Sequence, residues 1–549
     1  MKGTMAKRIV LGFPPPANPT YIPLGLASLV SYLKIRIPGL EVFAYDLNML
    51  AWQKLPEGND GGARAFRFMQ GNGEPFFQET WYRHHRPAFD DLYQTLLRWR
   101  DEAKRYLQSG ECPDSLRTFL EAAASLILSH EPEVIGFSVM FLDQLVFALA
   151  LARYIRTPGK GELWSMAGRP ASIILGGAAM SAVCVEDLWP ACPFLDAVHT
   201  GEGEESLALL CEGAPLDEIP GVKTPFTGRG AQPQGIIPLL PSSLPVPDFS
   251  QFRLENYATP VPVLPVAFSR DCKWRRCRFC AHNFSFNGYR EKLIAQFVDE
   301  LEFFMKRYGV RYFYLVDQYI AAKSLEALSD EIIKRGLSLS FSVMGRPVEE
   351  YTAERLDKAA AAGCSWISWG VETGSQRLLK LVRKGTRSET IARVLQNSHR
   401  AGIVNTMMLI FGLPTSTEGD LQETFRFIED VYPEVDTFTA SSFVLFQGTD
   451  FARQARQFHL LITGRQELFR LGEHPVHSTR LTFMQKDSSG SLLPPIGPTE
   501  VSRWMQRRSW LGEIPLLETL CCEHFLIYSV LRRAAPQITP THPVREKAA

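Results

Sequence analysis

Hydrophobic and polar positions alternate along the N-terminal third of the chain in a repeating order of short apolar runs and helical stretches. Apolar runs at 8–11, 42–45, 133–139 and 172–178 predict buried strands, and the spacing of apolar residues at 144–156 predicts a helix. Glycine turns follow several of the runs. Strand, glycine turn and helix in repetition predict an open doubly wound sheet that binds a ligand at its strand ends.

A second series of the same kind follows further along the chain. Apolar runs predict six strands, at 264–268, 312–316, 339–344, 366–371, 406–411 and 439–445. Helical patterns separate them, at 294–308, 325–335, 353–362 and 388–401. Six β/α units predict a parallel sheet with crossover helices, in the form of a partial (β/α)6 TIM-type barrel. Catalytic groups of such barrels lie at the carboxyl ends of the strands.

These patterns predict an α/β protein in four parts. They are a Rossmann-like domain at 1–215 with a helical insertion at 50–130, a proline-rich linker at 216–262, the barrel at 263–450 and a mainly helical C-terminal extension at 451–549. The extension carries helical runs at 498–510 and 515–533. Extensions of this kind often close the open side of a barrel over a substrate. The insertion either caps a ligand or is a surface excursion.

Composition narrows the class of protein. A chain of 549 residues that is 45% hydrophobic can bury two or three cores. Lys and Arg total 59 and Asp and Glu total 59, a balance that gives no support to a nucleic-acid partner. No apolar run of membrane-spanning length and no signal peptide is evident, so we expect no membrane span. The cysteines outside 272–280 show no disulfide-framework spacing, so a reducing, cytoplasmic setting fits best.

Three cysteines stand close together directly after the first predicted barrel strand. They are Cys272, Cys277 and Cys280, in the run S-R-D-C-K-W-R-R-C-R-F-C-A-H. Three thiolates on one loop can hold three irons of a four-iron cluster and leave the fourth iron free to bind a substrate or cofactor. Two other interpretations stay open at this point. One is a zinc site with His282 as fourth ligand, and the other is a group of buried structural cysteines.

The same loop is rich in basic residues. Lys273, Arg275, Arg276 and Arg278 all lie between or beside the cysteines. Their charge either compensates an anionic cluster or is ordinary solvated surface charge.

The ends of the other predicted barrel strands carry polar or glycine-containing signatures. These are V-D-Q, G-R-P, W-G-V-E-T-G-S-Q and F-G-L-P, after the second to fifth strands. A zwitterionic amino acid needs an acceptor and a cation, and a ribose diol can donate two hydrogen bonds to a carboxylate. The signatures supply groups of these kinds at one edge of the barrel.

Together, the loop and the strand ends between 264 and 446 resemble the radical S-adenosylmethionine (SAM) superfamily. The usual family loop is C-x3-C-x2-C, and this chain has C-x4-C-x2-C, one residue longer in the first gap. The resemblance implies a [4Fe–4S] cluster on Cys272, Cys277 and Cys280, with SAM bound beside it.

The resemblance also assigns residues to parts of SAM. Phe279 matches the aromatic position that packs near the adenine, Arg346 is expected at the SAM carboxylate, and Glu372 at a polar edge of SAM. The remaining positions that approach SAM are Asp317 and Gln318 at its amino end, and Ser375 and Pro414 at further strand ends.

The N-terminal sheet resembles the cobalamin-binding domain that precedes the barrel in one large radical SAM subclass. The landmarks are P-L-G-L-A, G-F-S-V, L-G-G-A and T-G-E-G-E-E, and they place cobalamin at Ser138, Gly176, Gly177, Gly201 and Glu202. Paired glycines let the backbone approach a ligand closely. The motif D-x-H-x-x-G is missing after the first strand, which argues against a histidine cobalt ligand of the mutase type. A different nucleotide-binding sheet is the alternative.

The resemblance implies an enzyme that uses a [4Fe–4S] cluster, SAM and cobalamin. We expect a methyltransferase acting on an unactivated carbon of a small metabolite, antibiotic precursor or peptide, with an external electron donor of the flavodoxin or ferredoxin type. One alternative is a cyclase or rearrangement enzyme without methyl transfer. Another is a non-catalytic cobalamin or iron–sulfur binding protein. No catalytic acid or base can be named from the sequence.

Overall fold

The computed structural model describes residues 5–55, 58–72, 76, 79–157, 171–226, 238–282, 288–486, 492–493 and 522–534. The chain divides into two compact units. Of the described residues, the first unit holds those within 5–261 and 465–480, and the second holds those within 262–282, 288–464 and 481–534. Within the described ranges, no helix has both the length and the apolar character that crossing a membrane requires.

The first unit is built on a six-stranded sheet. Its strands are β1 Arg8–Phe13, β2 Glu41–Asp46, β3 Val134–Ser138, β4 Ser172–Gly176, β5 Ala197–His199 and β6 Val222–Lys223. The order is β2-β1-β3-β4-β5-β6, and every neighbouring pair is parallel except β5 with β6. The doubly wound sheet predicted from the sequence is confirmed. The strand order reverses between β1 and β3, which is where such sheets bind ligands.

Seven helices of the described residues belong to this unit. They are Leu24–Arg36, Leu47–Lys54, Asp60–Met69, Glu79–Ser109, Asp114–Leu128, Gln144–Arg156 and Glu204–Cys211. The third to fifth of these lie in the segment where a helical insertion was expected. They pack around aromatic side chains, as where Trp52, fully buried, stacks on Phe89 with 5.3 Å between the ring centroids. A buried aromatic core of this kind fixes the helices on the sheet.

Part of the predicted proline-rich linker packs on the first unit. The amide of Asp248 donates to the carbonyl of Ala27 at 3.0 Å, and the hydroxyl of Tyr257 donates to the Asp46 carboxylate at 2.7 Å. Burial raises the pKa of Asp46 to about 7, against the lowering effect of its hydrogen bonds from Met49 and Tyr257. The described end of this segment is therefore built into the unit.

The second unit is built on six parallel strands. They are β7 Val263–Val266, β10 Tyr312–Leu315, β11 Ser340–Gly345, β12 Cys364–Glu372, β13 Val404–Phe411 and β14 Thr437–Ser442. They lie side by side in chain order, and helices alternate with them. These helices are Ile294–Tyr308, Ala322–Lys334, Ala353–Ala361, Gln376–Leu381, Ser388–Arg400 and Glu418–Val431. The predicted partial (β/α)6 barrel is confirmed. A short ladder of β8 Ser269–Arg270 and β9 Arg290–Glu291 flanks the cysteine loop.

The central strand β12 shows why this sheet forms. All nine of its residues are buried, as expected for a parallel strand covered on both faces. Its two tryptophans satisfy their indole N–H groups inside the sheet. Trp366 donates to Thr406 Oγ1 at 2.9 Å and Trp369 to Asn405 Oδ1 at 2.8 Å. These hydrogen bonds offset the cost of removing the two indole N–H groups from water.

The expectation of a mainly helical C-terminal extension needs correction. After β15 Leu445–Phe446 and the short helix Asp450–Arg453, two long strands follow, β16 Leu460–Leu471 and β17 His474–Lys486. They pair with each other around Gly472, which has a positive φ, and the two-residue strand β18 Leu492–Leu493 pairs with β17.

One long helix of the extension is described. The predicted run 498–510 lies outside the described residues, and the run 515–533 is described from Cys522 as the helix Cys522–Ala534. This helix packs against β10, β11 and β12. Phe525 meets the Trp366 ring at 4.7 Å, and Ser529 Oγ donates to Ser365 Oγ at 2.9 Å. Ser365 and Trp366 lie near the amino end of β12, so this helix does not close the carboxyl edge of the sheet.

Candidate functional site

The carboxyl ends of the barrel strands carry the residues predicted from the sequence. Because the strands are parallel and neighbouring, their carboxyl ends meet at one edge. The cysteine loop follows β7 and β8, and the predicted SAM residues follow in order at the ends of β10, β11, β12 and β13: Asp317, Gln318, Arg346, Glu372, Ser375 and Pro414. Sequence and topology therefore bring these residues to a common edge.

The three loop cysteines are half-buried thiols. They are close enough for the charges of Cys272 and Cys280 to act on Cys277. Burial raises the pKa of the Cys277 thiol to about 12 and also raises the pKa of Cys280. A thiolate here therefore needs strong positive charge beside it, and bound iron supplies that charge.

The geometry also bears on the zinc interpretation. Within the described part of the chain, no group of three or more His, Cys, Asp or Glu side chains could hold a single metal ion. An iron–sulfur cage differs because its cysteine ligands are spread over several irons. The donor set fits a [4Fe–4S] cluster.

Asp271 stabilises the cysteine loop through hydrogen bonds and an ion pair of its buried carboxylate. Its side chain is buried and its φ is +70°. The carboxylate accepts hydrogen bonds from the amides of Cys272, at 2.6 Å, and Gly288, at 3.1 Å, and it pairs with the guanidinium of Arg275. Sequence reasoning missed this residue, although an acid directly before the first cysteine was a visible signal.

Asp317 anchors the strand end that leads into the loop. It is 3% exposed, and its two oxygens accept from the amide of Phe268 at 3.0 Å and from the amide and hydroxyl of Ser269, both at 2.5 Å. Burial raises its pKa, against the effect of these hydrogen bonds. Both carboxylate oxygens of Asp317 are thus used in hydrogen bonds to Phe268 and Ser269 of the second unit. Contact of Asp317 and of the half-buried Gln318 with the amino end of SAM stays a prediction.

Arg346 ties the loop to the turn after the helix Gln376–Leu381. Its Nη1 donates to the carbonyls of Lys384, at 3.0 Å, and Gly385, at 3.2 Å, and its guanidinium lies 3.9 Å from the ring centroid of Trp274. Its buried Nε has no hydrogen-bond partner within the described residues. A buried donor without an acceptor is what an anionic ligand group would satisfy, which agrees with the predicted SAM carboxylate.

Lys384 forms an ion pair with Glu372 that sequence reasoning did not find. Its Nζ lies 2.5 Å from Glu372 Oε1, and the two residues are 7% and 8% exposed. Burial disfavours the ammonium, but the charges of Glu372 and Cys277 and the hydrogen bond to Glu372 together outweigh this effect, so the pKa of Lys384 is raised. The ammonium also lies near Cys277. A Cβ on Gly370 would come within 2.7 Å of Nζ, so the pair is packed without spare room.

Phe279 and Pro414 lie beside an apolar cluster, whereas Ser375 has a structural role. Phe279 packs against this cluster, which includes Leu413, the residue before Pro414. The Ser375 hydroxyl accepts from an amide as the N-cap of the helix Gln376–Leu381 and donates to Asp420 Oδ1 at 2.7 Å. An apolar wall suits the face of a purine, and the adenine contact of Phe279 stays a prediction, as do SAM contacts of the other two residues.

Backbone strain concentrates at this edge. Five non-glycine residues here have positive φ, a conformation that costs energy and is common at functional sites. They are Asp271, Arg275, Glu372, Arg383 and Thr415.

The predicted cobalamin residues follow three neighbouring strands of the first unit. Ser138 and Gly176 end β3 and β4, and Gly201 and Glu202 come directly after β5. Gly177 has a φ of +98°, and a Cβ there would lie 2.4 Å from the carbonyl oxygen of Val139. The carboxyl edge of this sheet thus holds small or polar residues side by side, and their contact with cobalamin stays a prediction.

His199, at the end of β5, was missed because only its glycine-rich neighbours attracted notice. Its side chain is buried, and Nε2 has no hydrogen-bond partner within the described residues. Burial lowers the pKa of His199 to about 4. The imidazole is therefore neutral at physiological pH. A Cβ on Gly221 would lie 2.8 Å from Nε2, so only glycine fits opposite the ring.

Comparison with known proteins agrees with this geometry. Residues 266–428 match the profile described as the radical SAM superfamily. An uncharacterised methyltransferase of Pyrococcus horikoshii is 25% identical over 350 residues, covering 62% of this chain and 73% of that protein. The anaerobic magnesium-protoporphyrin IX monomethyl ester cyclase of Rubrivivax gelatinosus is 28% identical over 257 residues, covering 44% of this chain and 46% of the cyclase.

A solved structure shares the fold over nearly the whole chain. The cobalamin-dependent S-adenosylmethionine radical enzyme OxsB, with aqua-cobalamin bound, matches with a TM-score of 0.65 at 16% sequence identity. The match covers 96% of this chain and 71% of OxsB. Residues 266–428 therefore form a radical SAM domain, and the chain shares the α/β fold of OxsB.

Proposed function

We propose that this protein is a cobalamin-dependent radical SAM methyltransferase that acts on an unactivated carbon of a small metabolite, antibiotic precursor or peptide. The observation that carries the proposal is the loop of three half-buried thiols at the carboxyl edge of the barrel, in a chain whose other unit is a doubly wound sheet. The methyltransferase among its relatives and the cobalamin enzyme with its fold support the reaction and the second cofactor. A reducing, cytoplasmic setting and an external electron donor belong to the same proposal.

The residues of the barrel edge have distinct tasks in this proposal. Cys272, Cys277 and Cys280 would hold the [4Fe–4S] cluster, and Asp271 fixes the backbone before the first of them. The bound cofactors would supply one-electron cleavage of SAM and a methyl carrier, since such chemistry belongs to the cofactor and the protein provides position and charge. Arg346 would receive the carboxylate of SAM.

Charge at the edge is arranged to suit these groups. The Lys384 ammonium pairs with the Glu372 carboxylate and acts electrostatically on Cys277. It stabilises a thiolate at Cys277. The apolar cluster beside Phe279 limits access of water to the edge from that side.

Anaerobic reconstitution tests the proposal. The protein with iron, sulfide and aqua-cobalamin, reduced by dithionite, should convert SAM to 5′-deoxyadenosine, and a variant with alanine at Cys272, Cys277 and Cys280 should not. Comparing the metabolites of the producing cells with those of a deletion strain should reveal a reaction whose product is heavier than its substrate by one CH2. SAM bearing a deuterated methyl group should shift that product by the mass of the label.

A cyclase or rearrangement enzyme is the second candidate, and the relative from Rubrivivax gelatinosus favours it. It would form 5′-deoxyadenosine but would transfer no labelled methyl group, and its product would differ from the substrate by hydrogen atoms, by oxygen or by connectivity only. A non-catalytic binding protein would leave SAM uncleaved.

A further inference from the structure

Four exposed cations lie around the outer side of the cysteine loop. One is in the loop itself, and three are in the segment 380–387, which packs against it. We call them the basic rim: Arg276, Lys380, Arg383 and Arg387.

Trp274 joins the two parts of the rim. Its indole N–H donates to the carbonyl of Arg383 at 2.8 Å, and its ring lies so close to Gly385 that a Cβ there would come within 2.3 Å of it. The guanidinium of Arg276 lies 5.0 Å from the centroid of the same ring. Arg276 and the segment that carries the other three cations therefore share one face of the second unit.

The rim carries positive charge that the protein leaves largely uncompensated. In the described residues, no carboxylate stands within 4.0 Å of Arg276, Lys380 or Arg387, and Arg383 has only Asp450, at 3.8 Å. Arg335 shows the contrast, since it pairs with several carboxylates on its own surface. In a chain with equal numbers of acidic and basic residues, an unpaired group of cations in one place is a local excess.

We propose that the basic rim is the docking surface for an acidic electron-carrier protein that reduces the cluster. This inference rests on the proposed function. Complementary charge steers association and selects partners, and a carrier seated on the rim would lie directly over the loop, since Arg276 immediately precedes Cys277. One electron leaves the reduced carrier, which is thereby oxidised by one electron, and enters the cluster. No atom is transferred.

The test reverses charge on the rim and, as a control, at the other end of the barrel. The rim variant is Arg276→Glu with Arg387→Glu. The control is Arg307→Glu with Arg400→Glu, two exposed cations at or next to the carboxyl ends of barrel helices. Both variants change the net charge equally. Cluster reduction is followed by anaerobic stopped-flow absorbance with a reduced flavodoxin, with a reduced ferredoxin and with dithionite, in separate arms.

We expect the rim variant to lose at least about 10-fold in the rate of reduction by the favoured carrier at low ionic strength, because steering contributes about 10-fold or more to such rates. Its reduction by dithionite should match the wild type, and its carrier-driven rate should depend less on salt. The control should behave as the wild type does. The two carrier arms show which class of carrier the surface prefers.

Equal carrier-driven rates in the wild type, the rim variant and the control would overturn the proposal, as would equal losses in both variants. The rim variant is not used if it binds less iron than the wild type. In that case the test uses the variant Lys380→Glu with Arg387→Glu, whose two substitutions lie outside the loop. If the wild type reduced by dithionite forms no 5′-deoxyadenosine, the proposed function fails. Calorimetric binding of the oxidised carrier to the wild type and the rim variant still tests the docking surface in that case.

Discussion

Replacing Gly177 by alanine should break the junction between β3 and β4, at the edge where cobalamin is proposed to bind. The added Cβ would lie 2.4 Å from the Val139 carbonyl oxygen and 2.7 Å from its nitrogen, both backbone atoms that cannot rotate away. Two hydrogen bonds hold this junction. Val139 N donates to Gly176 O at 2.7 Å, and Ala179 N donates to Val139 O at 3.0 Å.

The expected cost can be worked from these contacts. Gly177 has φ +98° and ψ 168°, a region essentially restricted to glycine, where alanine costs about 1–3 kcal/mol. Loss of the two hydrogen bonds adds about 0.5–1.5 kcal/mol each, so the total is about 2–6 kcal/mol. Gly39 provides a control because its φ is +91° and nothing lies within 4 Å of a Cβ there. Gly39→Ala should therefore cost only the conformational part, about 1–3 kcal/mol.

Hydrogen exchange measured by mass spectrometry gives the local opening free energy for peptides covering 134–139 and 172–179. We expect Gly177→Ala to lower this free energy clearly and to weaken binding of aqua-cobalamin, whereas Gly39→Ala should leave both close to wild type. Equal effects of the two variants on these peptides would refute the reasoning, since they would show that the backbone relaxes around the new Cβ at no cost.

Three further predictions concern buried titratable groups. Lys384→Met should lower the unfolding free energy by about 3–5 kcal/mol, because it leaves the Glu372 carboxylate buried and unpaired. Adding Glu372→Gln should restore part of the lost unfolding free energy. If a double-mutant cycle measured by urea unfolding gives strictly additive losses of this free energy, the pairing is contradicted. Asp317→Asn should cost about 1–3 kcal/mol and reduce iron content after reconstitution, because Ser269 loses an acceptor, and unchanged iron content would count against its anchoring role. The pKa of His199 is lowered to about 4 in the folded protein, from about 6.5 unfolded. The contribution of His199 to the unfolding free energy is therefore fully present above pH 6.5 and falls by about 3 kcal/mol in total toward pH 4. Urea unfolding at several pH values should show this decrease, and His199→Gln should make it smaller.

Four strands of the first sheet and the six of the second could be predicted from short apolar runs between polar stretches, whereas the short strands β5 and β6 were not predicted. The run predicted at 366–371 is β12, which differs only in its ends. The cysteines could be predicted as a set because their spacing is local. The role of Lys384 could not be predicted, because its contact with Glu372 arises from a turn after an intervening helix. No local pattern in the sequence marks a lysine whose charge will be buried.

The strands β16 and β17 were missed for a different reason. Most of β16 is exposed on both faces, so polar residues occupy positions that a half-buried strand would fill with apolar ones. Without alternation of apolar and polar residues, the period-2 signal is weak. His199 escaped notice because burial, and not its neighbours in sequence, makes its chemistry unusual.

The contact between Ser365 and Ser529 joins positions 164 residues apart. During synthesis, the central strands of the barrel therefore leave the ribosome long before the helix that packs beside Trp366 exists. Until the residues up to 534 have emerged from the ribosome, the nascent barrel must expose that indole to solvent or to a chaperone. Hydrophobic surface exposed in this way is prone to aggregate. Chains that terminate before Cys522 should accordingly accumulate as insoluble protein even though every proposed cofactor ligand has been made.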